Sequence, residues 1–295
     1  FACCAVVQSL YAIKYFITNK ESFIDTYNTG NVLPVIKIHH VQIAVLLAIS
    51  VLLLVSVLFS STKKWIKTIA FVVAICLFIF LHIFAVRTGL ILVYGMLLLH
   101  ISCKLIEQKK WTILAGTLTI IIGLGVSIIH YSPTLKNKIN YMKYDLQQYK
   151  QQTTDLFLYS DSRRLQSIQI GIQILKMHPL TGCGVGNIKE ECAHIYQQKN
   201  VQKNDAFYFL PHSQYIYFLS CFGWITGSII TLCFLYPLYY FKKKKKYLLT
   251  SIYSGLIVFG IWDAFLGTLF GNCVYISIIG FGINEHETNT AHKYQ

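Results

Sequence analysis

VQIAVLLAISVLLLVSVLFS, Val41 to Ser60, decides what kind of chain this is. It runs for 20 residues without a charged side chain. At 1.5 Å per residue that length crosses the roughly 30 Å hydrocarbon core of a bilayer. STKKWIK (Ser61 to Lys67) follows, a short loop with three lysines, and then a second apolar run at 68–86. The same alternation extends in both directions. Further apolar runs cover 1–17, 90–103, 111–130 and 213–241. The stretch 247–283 is long enough for a hairpin of two short spans, with a break expected near Gly267 to Asn272. About eight spans result.

Composition agrees. The 295 residues are 55% hydrophobic and only 13% charged, with a mean hydropathy of +0.52. A soluble domain carries about twice that charge fraction. The expected fold class is all-α, a polytopic transmembrane helical bundle. The chain opens at Phe1 inside an apolar run with no charged leader, so earlier spans are expected before it.

The formal net charge is +14. In a soluble protein that would point to nucleic acid. Here the charge sits mostly in short clusters at span ends, which is the topogenic pattern, and nucleic acid is excluded as a partner. The lysine-rich loops at 61–67, 104–110 and 242–246 belong in the cytoplasm by the positive-inside rule. Alternation then puts 18–40, the turn at Arg87 and the 81-residue segment 131–211 outside. Four regions follow: amino-terminal spans 1–130, an extracytoplasmic loop 131–211, carboxy-terminal spans 212–283 and a cytoplasmic tail 284–295. No internal repeat is visible, and the one-sided loop argues against an inverted-repeat transporter.

Within the loop, Leu165, Ile168, Ile172 and Leu175 are spaced as the apolar stripe of an amphipathic helix lying along the membrane surface. Asp161 or Ser162 is expected to cap it and Pro179 to end it. Arg163 and Arg164 then fall in its first turn, where free N–H groups and the positive dipole end favour a bound anion. HPLTGCGVGN (His178 to Asn187) follows, with Gly182, Gly184 and Gly186 at alternate positions. Such a turn either offers N–H groups to phosphate or packs against the membrane. Cys183 and Cys192 fall in the same loop, where a disulfide becomes available in an oxidising compartment.

Only three of the 26 basic residues are arginine: Arg87, Arg163 and Arg164. All three are placed outside, and every topogenic cluster uses lysine. Arginine is the better bidentate phosphate binder and stays charged. Arg87 interrupts two apolar runs, so it must face an interface, a cavity or a partner. His212 follows Pro211 at the mouth of a span, where a neutral imidazole acts as a general base or as a structural interface residue. His39, His40, His178 and His194 lack comparable context. Asp161, Glu190 and Glu191 are available to orient the histidine or the arginines. No D-x-D, HExxH, G-x-S-x-G or Walker pattern occurs, and no metal or cofactor is expected.

The order of these pieces resembles the O-antigen ligase and polymerase superfamily, bacterial membrane glycosyltransferases. Three stretches carry the resemblance: AVRTGLILVYG around Arg87, RLQSIQIGIQILKMHPLTGCGVGN from Arg164, and PHSQYIYFLSCFGWITG from Pro211 to Gly227. Ser213 departs from the asparagine usual after the histidine, and Ile168 from a frequent aromatic. The resemblance implies a glycan donor on polyprenyl pyrophosphate, held with membrane lipid at the periplasmic face of the inner membrane. The acceptor is lipid A-core or another glycan, and no metal or cofactor is needed. Arg87 and Arg164 would stabilise the departing pyrophosphate, and His212 would take the acceptor proton. Arg163, Gly184 and Gly186 would help to bind substrate. Displacement would be single and inverting. A polymerase, a protein-glycosylating enzyme and a proton-coupled transporter are the other readings weighed.

Overall fold

The computed structural model describes residues 1–18, 40–84, 86–131, 133–150, 160–198 and 210–291. Eleven α-helices and one 3-10 turn fill them: α1 Ala2–Thr18, α2 His40–Ser60, α3 Lys64–Phe84, α4 Arg87–Glu107, α5 Trp111–Tyr131, α6 Pro133–Lys150, α7 Ser160–Met177, α8 Ile188–Gln198, α9 Gln214–Lys243, α10 Tyr247–Phe259, the 3-10 turn Phe265–Gly267, and α11 Leu269–Ala291. The all-helical expectation holds among the described residues. The outer connector 18–40 lies almost wholly outside them.

Each expected apolar run is helical. Four helices are long and apolar enough to cross a membrane: Val41–Ser60, Lys64–Ile83, Arg87–Glu107 and Gln214–Lys243. Shorter apolar helices occupy Ala2–Tyr11, Trp111–Ile120, Tyr247–Phe259 and Leu269–Ile283. The break in the last pair comes earlier than expected, at 260–268, because Thr268 caps α11. Its hydroxyl donates to Phe265 O at 2.7 Å and accepts the Gly271 N–H at 3.1 Å. Helix α11 also runs on into the expected tail.

The chain divides into two compact units, 1–141 with 245–255 and 142–244 with 256–295. In the first, α2 is the hub, packed by α1, α3 and α4. Val41, Ala44, Val45, Leu47, Ala48, Ile49 and Leu52 are buried around most of its circumference. Gly89 lets α4 approach closely, since a Cβ there would stand 2.6 Å from Ala44 Cβ. Helix α3 turns Ile69, Val72, Ile75, Ile79 and Ile83 outward. An exposed aliphatic stripe of this kind suits lipid, since soluble proteins rarely leave so large an apolar face uncovered.

In the second unit α9 plays the corresponding part. Ile225, Ile229, Leu232, Tyr236 and Tyr239 form its outer stripe at spacings of 4, 3, 4 and 3. Its inner face carries Tyr217, Phe218, Cys221 and Phe234 and packs on α7. Gly223 breaks the helix with φ 74° and ψ 179°, a region essentially reserved for glycine. The break frees two carbonyls, and a loop fills them. Cys183 N–H donates to Ser220 O at 3.0 Å and Gly184 N–H to Cys221 O at 2.9 Å. In return Trp224 N–H donates to Pro179 O at 2.8 Å. A Cβ at Gly223 would lie 2.2 Å from Leu180 O. Gly223→Ala therefore combines about 1–3 kcal/mol of backbone strain with a backbone overlap. A drop in thermal unfolding temperature in detergent is expected, and an unshifted transition would count against this kink.

Candidate active site

Helix α7 carries the paired arginines, and its start is held from a distance. Asp145 on α6, fully buried, accepts the Asp161 N–H at 2.8 Å and the Ser162 N–H at 3.1 Å. The Ser162 hydroxyl also donates to this carboxylate. The expected cap was Asp161 or Ser162 itself. A carboxylate at the N-terminus meets the helix dipole and fills two N–H groups. Those N–H groups are therefore not open to a substrate anion. The cations of that first turn are the side chains of Arg163 and Arg164.

The buried face of α7 also differs from the expected stripe. Ser162, Gln166, Ser167, Ile170, Gly171, Ile174 and Leu175 are buried, while Leu165 and Ile172 are exposed. The reason is close packing through small residues. A Cβ on Gly171 would stand 2.6 Å from Ile216 and 2.9 Å from Pro211. The Ser220 hydroxyl reaches across to Gly171 O at 2.8 Å. Small residues win the interface because they let two backbones approach, as they do between membrane helices. The larger Leu165, Ile172, Met177 and Leu180 are left facing outward.

Ser167 does more than pack. Its hydroxyl donates to Arg164 O at 2.8 Å and accepts the His212 N–H at 3.0 Å. One buried side chain thus joins the turn bearing Arg164 to the residue before α9. His212 itself is half-buried. Ser213, the next residue, is buried and extended, and its hydroxyl makes no helix-cap bond. Gln214 anchors the far side: its N–H donates to Gly260 O at 2.8 Å and its Oε1 accepts the Leu266 N–H at 2.9 Å.

That anchored segment carries Asp263, a residue the sequence reading did not single out. Burial pushes its carboxyl up to about 6, and the charge on Arg164 pulls the other way. Of the other acids near the loop, Glu191 stands 3.7 Å from His178, Asp161 lends its N–H to Asp145, and Glu190 is exposed. Asp263 is an acid coupled electrostatically to Arg164. A signal for it was present, because Asp263 is the one acid in the apolar stretch 247–283, and an ionisable group in such a stretch marks a site. A carboxyl raised from 3.8 to about 6 binds its proton more tightly in the folded chain. Its contribution to stability is full below 3.8 and is lost as pH rises through about 6. Asp263→Asn removes that loss. Wild type is expected to weaken relative to the variant as pH rises through this window, read as the difference between their melting temperatures. Parallel curves would refute the burial of this carboxyl.

The glycine turn reads differently at atomic level. Gly182 has φ 68°, and a Cβ there would stand 2.3–2.4 Å from the Cys221 and Phe222 backbone, so the turn packs directly on the kink. Gly184 donates its N–H to Cys221, which removes that group as a phosphate ligand. Of the expected substrate-binding glycines, Gly186 is exposed, with open space where a Cβ would be. Arg87 lies in the first unit as the opening residue of α4, half-buried, after an extended Val86. Its guanidinium stands at the positive end of a helix. That is unfavourable for the helix and favourable for an anion. Among the described residues no group of three or more His, Cys, Asp or Glu is arranged to hold a metal ion.

A profile of the O-antigen ligase family matches residues 48–231, more than half of the chain. The chain belongs to the O-antigen ligase family. The match takes in Arg87, Arg163, Arg164, the glycine turn, His212 and the kink at Gly223, and stops short of Asp263. No curated protein and no solved structure matches. Membership of the O-antigen ligase family brings a glycosyltransferase-like function on glycan and lipid-linked substrates. With four membrane-capable helices it also makes this a multi-pass membrane protein.

Proposed function

We propose that this O-antigen ligase family member transfers a glycan from polyprenyl pyrophosphate to a hydroxyl of lipid A-core, at the periplasmic face of the bacterial inner membrane. The observation that carries the reading is the Ser167 bridge between Arg164 and His212. It ties an anion-binding side chain and a proton-accepting one to a single rigid scaffold, as a displacement reaction needs.

In this mechanism the acceptor hydroxyl attacks the anomeric carbon. The carbon–oxygen bond to the pyrophosphate breaks with inversion, and the pyrophosphate leaves with its electron pair. His212 takes the hydroxyl proton or orients the acceptor. Charge develops on the departing oxygens, so fixed cations are the main demand. Arg164 meets it with two parallel N–H donors, and the Asp263 carboxyl is close enough to feel the guanidinium charge. Arg163, in the same turn, assists. Arg87 is assigned to the same pyrophosphate on its sequence context and its helix-end position. Two arginines supply the positive charge that a divalent ion supplies in other glycosyl transfers, so activity is expected to persist in chelator. The eight apolar helices are taken as spans, with 131–211 outside and Leu165, Ile172 and Leu180 resting in the outer leaflet.

The test is transfer by purified protein from a polyprenyl-pyrophosphate glycan, with lipid A-core present and chelator added. Glycan on lipid A-core, lost in His212→Ala, is the expected result. Longer glycan left on the polyprenyl carrier would make the enzyme a polymerase. No transfer with active donor and acceptor would favour a transporter.

A further inference from the structure

Three of the nine cysteines meet in the second unit. Cys183, Cys192 and Cys221 are buried, whereas the other six are exposed or half-exposed. Two successive backbone bonds, from Cys183 N–H to Ser220 O and from Gly184 N–H to Cys221 O, lay the glycine turn flush on the kink of α9. Backbones fastened by direct hydrogen bonds lie close enough for cysteines on them to come within disulfide reach. Cys192 on α8 completes the group. Its thiol is pushed up to about 12 by burial and then by the neighbouring Cys183 and Cys221.

We infer that Cys183 and Cys221 are a redox pair that closes to a disulfide, with Cys192 remaining a thiol. The backbone bonds fasten the turn at Cys183 to the kink at Cys221, which favours this pair over Cys183 with Cys192, the pair suggested by the loop sequence alone. Closure joins the two sulfurs, and the two thiols give up two electrons and two protons. A disulfide-carrying thiol oxidoreductase accepts them, and its own disulfide opens to two thiols. The inference rests on the extracytoplasmic placement of the loop proposed above, because only an oxidising compartment supplies that acceptor. Buried thiols with raised pKa are slow nucleophiles. Closure therefore belongs to the moment the turn docks on the kink. Once closed, the bridge staples the turn that follows α7 to the span that follows His212.

The full chain is extracted from membranes with a maleimide present from lysis, denatured, and its cysteines counted by mass. Seven of nine labelled thiols are expected, with the last two appearing after reductant and one peptide joining Cys183 to Cys221. Cys192→Ser keeps that peptide, and Cys221→Ser abolishes it and leaves every remaining cysteine labelled. Nine labelled thiols in wild type, or a peptide joining Cys183 to Cys192, overturns the pair. A separate Val185→Cys variant, exposed in the same turn, is treated with a membrane-impermeant maleimide from the outer side. Label gained over wild type upholds the placement, so that nine free thiols would then count against the pair alone. No gain removes the oxidising compartment, and the inference with it.

Discussion

Replacing Arg164 with alanine cuts glycan transfer by about 10²–10³-fold while the chain stays folded. The magnitude is that of removing one fixed donor aimed at developing charge. The expectation of a folded variant comes from Asp263. Once the guanidinium is gone, nothing offsets the effect of burial on this carboxyl, and it takes up a proton instead of standing as a lone buried charge. The Ser167 bridge also survives, because it uses the carbonyl of residue 164 and not its side chain. Arg164→Lys keeps the charge and loses the two-pronged geometry, so an intermediate rate is expected. Initial rates with purified protein, alongside unfolding curves, provide the check. A rate equal to wild type in a folded Arg164→Ala protein would take this residue out of the reaction.

The second large effect is at His212. His212→Ala is expected to lower kcat by about 10²–10⁴-fold with little change in donor KM, the signature of a group that acts in the transition state. Folding should be untouched. The backbone N–H of residue 212 on Ser167 helps to place it, and alanine retains that bond. The converse substitution, Ser167→Ala, leaves the imidazole present but frees the strut beneath it. A rise in KM alone for His212→Ala would move the histidine from proton transfer to binding.

These sites were unevenly legible in the sequence. Whereas the polar helices α6 and α8 left no such signal, the membrane class and the positions of the apolar helices follow from apolar runs, which are local. So does the placing of Arg164 in a first helical turn, Pro179 after its end and His212 at the mouth of a span. What escaped is what depends on distant partners. Asp145 caps a helix from sixteen residues upstream of Asp161. Ser167, an unremarkable hydroxyl in the sequence, joins two elements 45 residues apart. The apolar stripe on α7 misled because the helix packs through Ser167 and Gly171 together with Ile170, Ile174 and Leu175, which turns Leu165 and Ile172 outward. The glycine turn misled in a related way: its N–H groups look available until the kink at Gly223 creates carbonyls to take them. Asp263 was the exception, an isolated charge in an apolar run that local reading could have caught.

The exchange of hydrogen bonds between the turn at 179–184 and the kink of α9 has a consequence for biosynthesis. Chains emerge amino-terminus first, so the turn is made before the span it completes. Helix α9 enters the bilayer with two carbonyls that no residue of its own can satisfy, and such groups are costly in hydrocarbon. On the proposed topology the earlier turn is already waiting on the far side. Insertion of this span is thus finished by a segment delivered ahead of it, and chains cut or rearranged between 184 and 214 should stall with α9 incompletely seated.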